Sequence, residues 1–76
     1  MSAKEMFEEL GYEEREETYS TQCIKSYVNK EHLSYIYFDY DKKIDIGSLI
    51  IDMKLLKAIN KQVEELGWNK WIKNLI

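Results

Sequence analysis

The side chains best suited to catalysis or metal binding are few in this sequence and stand far apart. It contains one cysteine, Cys23, and one histidine, His32. A zinc site needs three or four ligands, and nucleophilic catalysis needs a base within hydrogen-bond reach of the nucleophile. We therefore expect Cys23 to be a small buried apolar residue and His32 to be a surface or turn residue.

Three aspartates, Asp39, Asp41 and Asp45, follow one another closely enough to suggest a cation-binding loop. An EF-hand loop also requires a glycine at its sixth position and a glutamate at its twelfth, and this segment has neither. Phosphate-binding glycine loops and the G-x-S-x-G nucleophile motif are missing as well. We expect no catalytic residues, no metal and no cofactor, and predict that the protein is not an enzyme.

The composition is typical of one small folded domain spanning residues 1–76. Of its 76 residues, 45% are hydrophobic and 33% are charged, and there is no proline. An unpaired cysteine fits a reducing cytoplasm better than secretion. The N-terminus does not have the pattern of an export signal, and no apolar run approaches the roughly 20 residues that cross a bilayer. We therefore expect a cytoplasmic protein.

Two pentapeptides, EELGY at residues 8–12 and EELGW at residues 64–68, each predict the end of an amphipathic helix. A glycine in the left-handed conformation ends a helix and lets the following aromatic residue fold back onto it. Ser2 and Glu5 have the spacing of a capping box, so the first helix is expected to begin near Ala3. The similarity of the two segments is interpreted as shared capping chemistry and not as a repeat.

The second helix is predicted to be the longest element, from Met53 to Leu66, with Asp52 as its N-cap. Asn69 predicts a third, short helix at the C-terminal end of the chain. The residues expected to form the buried apolar stripe of the second helix are Leu55, Leu56, Ile59, Val63 and Leu66.

Between the helices the apolar residues alternate with a period of two. Cys23 to Val28 and Leu33 to Tyr40 are rich in β-branched and aromatic residues and predict two antiparallel strands. Ile44 to Ile50 predicts a third, shorter strand with Gly47 as a bulge. Residues 13–21 are either an entry loop or an early strand extension. The expected fold is α+β: a three-stranded antiparallel meander packed by one long helix, with short helices at both ends, in the order α-β-β-β-α-α.

The segment from Leu33 to Tyr40 is apolar on both faces. Tyr35 and Tyr37 point one way, and Ile36 and Phe38 point the other. If helices cover only one side of the sheet, the tyrosines form a partly exposed strip, and tyrosines suit interfaces because their rings are large and their hydroxyls tolerate water. In the alternative, the long helix and the tryptophan-bearing tail cover both sides.

Charge is unevenly distributed. In the first nineteen residues seven glutamates face only Lys4 and Arg15, a formal charge of −5, whereas the rest of the chain sums to +2. The acidic segment is either a solvated edge or a surface that attracts a basic partner or imitates phosphate. A row of lysines at positions 54, 57 and 61 offers nucleic-acid binding as an alternative. The candidate partner-binding residues are Glu13, Glu14, Glu16, Glu17, Tyr35 and Tyr37.

Two segments, AKEMFEELGYE at residues 3–13 and IDMKLLKAINKQVEELGW at residues 51–68, resemble small uncharacterised proteins encoded by phages and prophages of Firmicutes. The middle of the chain matches such proteins only in its pattern of aromatic strands, and no catalytic motif is carried across. The resemblance implies a phage accessory protein that acts in the cytoplasm of a bacterial host and binds or blocks a host factor, including proteins of antiviral defence.

The expected function is that of a non-enzymatic protein-binding module. Its partner would be a host or phage protein, with no membrane involved, and the module would be a monomer or a homodimer. One alternative is a small nucleic-acid-binding regulator that uses the lysine row and the aromatic residues. Another is a structural subunit that forms homo-oligomers through its aromatic face.

Overall fold

The computed structural model of the protein describes residues 1–15, 23–47 and 50–68. Glu16, Glu17 and the third helix predicted from Asn69 lie outside these residues. The chain forms an α+β fold whose elements, in order, are α1 (Ala3–Glu9), β1 (Glu13–Glu14), β2 (Cys23–Asn29), β3 (Ser34–Asp39), β4 (Ile44–Ile46) and α2 (Met53–Glu65).

The described residues form a sheet of four antiparallel strands in the order β1-β2-β3-β4, so the prediction of three strands is wrong. The additional strand is β1, in which Glu13 pairs with Val28 and Glu14 pairs with Tyr27. Two consecutive glutamates have no strand propensity of their own. Strand pairing depends on backbone N–H and C=O groups, however, and the positive side chains near these glutamates offset their charge. The meander topology is as predicted.

Both helices end as the two pentapeptides predict. Gly11 has φ +92° and Gly67 has φ +80°, the left-handed conformation that glycine adopts without steric cost. In each case the backbone N–H of the next residue, Tyr12 or Trp68, donates 3.0 Å to the carbonyl oxygen five positions earlier. These bonds satisfy carbonyls that a helix end would otherwise leave free, and both aromatic side chains are buried.

The helix starts are also confirmed. Ser2 and Glu5 form the predicted capping box, and the hydrogen bonds that Glu5 receives from Ser2 lower its pKa. Asp52 accepts a 2.8 Å hydrogen bond from the backbone N–H of Leu55 at the start of α2. Leu56, expected on the buried stripe, is instead 40% exposed. It lies about 100° around the helix from Leu55, whereas the buried residues follow the i, i+3, i+4, i+7 spacing. These are Leu55, Ala58, Ile59 and Gln62.

Both helices pack on the same face of the sheet, called the core face here. The Phe7 ring of α1 stacks on Tyr27 of β2 with 4.0 Å between ring centroids. The hydroxyl of Tyr27 donates to Oε1 of Gln62 in α2, so the buried amide of that helix has a partner. Trp68, just after α2, packs against Phe38 of β3 at 6.1 Å. Within the described ranges, neither helix has the length and apolar character needed to cross a membrane.

The strand pairing differs in detail from the prediction. The register shifts between Cys23 and Lys25, which places the irregularity in β2. Gly47 does not interrupt the ladder as a bulge would, because its N–H donates 2.8 Å to the carbonyl of Tyr35. The β2–β3 hairpin is closed by Asn29, whose Oδ1 accepts from the backbone N–H groups of two turn residues and whose amide donates to the carbonyl of Leu10.

Candidate functional site

Cys23 and His32, the residues with the most reactive side chains, lie at opposite ends of β2. The strand runs from Cys23 to Asn29 and is about 20 Å long, and His32 lies in the turn that follows it. The Cys23 thiol is half-buried and donates a 3.1 Å hydrogen bond to the carbonyl of Lys25, and burial raises its pKa. His32 is exposed in the turn. These two residues do not form a nucleophile and base pair.

The three aspartates do not gather into a cation site. Among the described residues no three side chains of histidine, cysteine, aspartate or glutamate are placed to hold a metal ion. Asp41 lies in the β3–β4 turn and forms an ion pair with Lys43, at 3.4 Å. Asp39 and Asp45 lie on neighbouring strands and contribute to the surface described next.

The sheet face opposite the core face is called the open face here, since neither α1 nor α2 covers it. Side chains alternate between faces along a strand, and residues paired across strands share a face. Tyr35 and Tyr37 therefore lie on the open face, whereas Ile36 and Phe38 lie in the core. The pairing register arranges the open face in three rows: Glu13, Val28, Tyr35 and Gly47; then Arg15, Ser26, Tyr37 and Asp45; and then Asp39, opposite Lys43.

Tyr35 and Tyr37 form a stacked pair at the centre of the open face. Their ring centroids are 4.6 Å apart and their planes are inclined by 29°, and both side chains are half-buried. The Tyr35 ring occupies the space above Gly47 where any other residue would place its Cβ. An added Cβ would lie 2.5 Å from Cδ1 and 2.6 Å from Cζ of that ring. Glycine at this position thus leaves free the space that the Tyr35 ring occupies.

The structure separates the two candidate glutamates that it describes. Glu13 pairs with Val28 and therefore shares the open face with both tyrosines, whereas Glu14 pairs with Tyr27 and lies on the core face. The sequence analysis grouped them by their shared negative charge. Adjacent residues in a strand point to opposite faces, so these two cannot contact the same partner surface.

Both of these glutamates already have cationic partners within the chain. Glu14 Oε1 lies 2.6 Å from the ammonium of Lys25, and its other oxygen lies 4.0 Å from Lys4. Glu13 lies 3.9 Å from Arg15 and 3.8 Å from Lys30, although its side chain is 63% exposed. Lys25 and Lys30, which lie outside the acidic segment, therefore offset part of its excess negative charge.

Asp39 and Asp45 were not among the candidate contact residues, although strand alternation places Asp39 on the same face as Tyr35 and Tyr37. Asp45 is paired with Tyr37 across the sheet, and Asp39 lies two residues beyond Tyr37 on the same strand face. Neither carboxylate forms an ion pair with any described residue, and the nearby Lys43 is engaged with Asp41. The alternation of Asp45 with the half-buried Ile44 and Ile46 was the pattern that could have placed it on the open face.

The lysine row lies away from the tyrosines. Lys54 and Lys57 are exposed on α2, and Lys61 forms an ion pair with Glu64 at 3.7 Å. Because α2 covers the core face, its solvent side and the open face are on opposite sides of the molecule. A ligand bound by the tyrosines would not contact the lysine row.

Compared with protein-family models, curated proteins and solved structures, the chain matches none.

Proposed function

We propose that the protein is a non-enzymatic protein-binding module whose contact surface is the open face. The observation that carries this proposal is the stacked pair of Tyr35 and Tyr37 on the side of the sheet away from both described helices. A single exposed aromatic residue is ordinary on a protein surface, whereas two adjacent rings held in a fixed direction form a preorganised contact area.

The physical properties of the open face suit a protein partner. Tyrosine is enriched at interfaces because its ring excludes water while its hydroxyl still finds hydrogen bonds. The stack is already ordered, so binding would immobilise few further rotatable bonds. Beside it, the half-buried Val28 of β2 adds apolar surface next to Tyr35, whereas Ser26 is buried.

Two observations favour protein binding over the alternatives. The separation of Cys23 from His32 gives no support to a catalytic function. Nucleic-acid binding would need the aromatic pair and a basic field together, yet carboxylates accompany the tyrosines and the lysine row lies on the opposite side. Protein binding requires neither arrangement.

The resemblance to phage and prophage proteins of Firmicutes supports a biological context for such a module. A small phage accessory protein commonly acts by occupying a host protein, and we propose that this one binds, and thereby inhibits, a host or antiviral defence factor. Of the candidate contact residues, Tyr35 and Tyr37 are central and Glu13 lies at the margin. Glu14 is replaced in this proposal by Asp45, which lies on the correct face.

The experiment that tests the proposal is capture of partners from a Firmicutes host lysate by the purified protein, with identification by mass spectrometry. The test variant is Tyr37→Thr, because threonine retains strand propensity and removes the ring. Tyr40→Thr is the matched control: Tyr40 is 67% exposed just after β3, so the same atoms are removed outside the stacked pair. We expect a partner that wild type and Tyr40→Thr retain and Tyr37→Thr loses.

The acidic segment is tested separately with the double variant Glu16→Lys and Glu17→Lys. These substitutions keep Glu13, Glu14 and the cations with which they pair. Equal capture by wild type and Tyr37→Thr would refute the open face as the contact surface. Loss of capture in the glutamate variant alone would assign the contact to the acidic segment instead.

A further inference from the structure

We infer that the open face recognises an arginine side chain on an extended, basic segment of its partner, with Tyr37, Asp39 and Asp45 as the recognition group. This inference rests on the proposed function and specifies the chemistry of the partner. It joins an aromatic surface to two carboxylates that have no ion pair within the described part of the chain.

The first part of the argument is the aromatic surface. Tyr35 and Tyr37 are two residues apart on one strand and stack along it, so Tyr35 covers one side of the Tyr37 ring. The other side is turned toward the next position on the same face, where Asp39 lies. A planar guanidinium group packs flat against a tyrosine ring and is attracted by its π electrons, and arginine makes this contact more often than lysine does.

The second part is charge complementarity. Asp45 on β4 is paired directly with Tyr37 on β3, and Asp39 on β3 lies diagonally across from Asp45. Lys43 lies opposite Asp39 but its ammonium is 3.4 Å from Asp41, and Arg15 is 3.9 Å from Glu13, so both cations are directed to other carboxylates. A guanidinium between ring and carboxylates would stack and donate to both oxygens of one carboxylate, a geometry that ammonium cannot match.

The shape of the sheet favours an extended partner segment. β4 is an edge strand among the described residues. Its backbone hydrogen bonds to β3 are made by the residues on either side of Ile44 and Ile46, such as Lys43 and Gly47. The backbone groups of Ile44 and Ile46 therefore point away from β3. A partner strand beside β4 would place every second side chain on the open face, next to Asp45.

The same carboxylates argue against a nucleic-acid ligand on this face. A phosphate backbone beside Tyr37 would be repelled by Asp39 and Asp45, and the nearest cations of the face are already paired. A second copy of the chain would bring the same negative charges together. A basic protein segment relieves the repulsion that both other occupants would create.

The test uses the whole protein and three capped, fluorescein-labelled peptides of about nine residues, in which serine alternates with arginine, lysine or the uncharged arginine analogue citrulline. Affinity is measured by fluorescence anisotropy at roughly 20 mM salt, where exposed charges are weakly screened. We expect the arginine peptide to bind about fivefold more tightly than the lysine peptide, and the citrulline peptide to bind more weakly than either.

Three variants assign the binding to the recognition group. Asp45→Asn removes one charge without changing the size of the side chain, and Glu9→Gln is its control on α1, on the other side of the sheet. We expect about a fivefold loss for Asp45→Asn, a similar loss for Tyr37→Thr, and no change for Glu9→Gln. Circular dichroism of each variant verifies that it is folded.

Equal affinity for the arginine and lysine peptides, equal effects of Asp45→Asn and Glu9→Gln, or preferential binding of a labelled oligothymidine would each overturn the inference. Its failure is distinguishable from that of the proposed function. If no peptide binds while Tyr37→Thr still abolishes capture of a host protein, the open face is a protein-binding surface whose partner is not recognised through arginine.

Discussion

Replacing Gly47 by alanine should destabilise the protein even though the backbone at this position suits any residue. The new methyl group would overlap the Tyr35 ring, with Cδ1 at 2.5 Å and Cζ at 2.6 Å from the added carbon, so the ring must move. Moving it breaks its stacking with Tyr37, and aromatic pairs contribute about 0.5–1.5 kcal/mol. We expect Gly47→Ala to lower the free energy of unfolding by about 1 kcal/mol.

The sign of this effect should reverse when the ring is absent. In a Tyr35→Thr background the added methyl group meets no ring, and alanine restricts the unfolded chain more than glycine does. The same substitution should then stabilise the protein by about 0.5 kcal/mol. Urea unfolding followed by far-ultraviolet circular dichroism and tryptophan fluorescence gives all four free energies of the double-mutant cycle, with an expected coupling of about 1.5 kcal/mol.

The reasoning would be refuted if Gly47→Ala stabilised the wild-type protein, or if it had the same effect with and without the Tyr35 ring. Either outcome would mean that the ring does not rest on Gly47 in solution. The orientation of the Tyr35 and Tyr37 rings described above, on which the proposed contact area of the open face depends, would then be incorrect as well.

Four further predictions concern the helix ends, the hairpin and the core. Alanine in the left-handed conformation costs about 1 kcal/mol, so Gly67→Ala should lower the free energy of unfolding, measured with urea, by about that amount. Gly11→Ala should lower the free energy of unfolding by about 2 kcal/mol. The added Cβ would lie 3.2 Å from the buried Asn29 amide and disturb the hydrogen bonds that close the hairpin. Leu33 is 86% exposed with φ +51°, so Leu33→Asn should raise the melting temperature by about 4 °C, since asparagine tolerates that backbone better. Burial raises the pKa of Tyr27 above its ordinary value, so from about pH 10 the unfolded chain loses this proton first. As the pH rises, the free energy of unfolding should therefore fall faster in wild type than in Tyr27→Phe. The difference between the two slopes should reach up to about 1.4 kcal/mol per pH unit in urea unfolding between pH 9 and pH 11.

The parts of the fold that depend on neighbouring residues could be predicted from the sequence. Each helix end is specified by a glycine and the aromatic residue after it, and each start by a side chain three positions from its partner. Gly11 and Gly67 adopt the expected conformation, and Ser2 and Asp52 cap as expected. These interactions require no knowledge of the tertiary structure.

The parts that depend on distant residues could not be predicted in this way. β1 forms because backbone groups of Glu13 and Glu14 hydrogen-bond to those of β2, and two consecutive glutamates do not predict that pairing. The buried Gln62 is polar and was not expected in the core, because its partner, the hydroxyl of Tyr27, lies 35 positions away. The alternation in β3 placed Tyr35 and Tyr37 on one face correctly, but which face the helices cover is decided by packing.

Hydroxyl-radical footprinting of the complex with a captured partner tests the central claim most directly, because it reads the contact surface without altering the chain. With the partner bound, we expect oxidation of Tyr35 and Tyr37 to fall several-fold while Tyr40 and the exposed Met53 of α2 react at unchanged rates. Protection of Tyr40 or Met53, with Tyr35 and Tyr37 oxidised as fast as in the free protein, would contradict the open face as the binding surface.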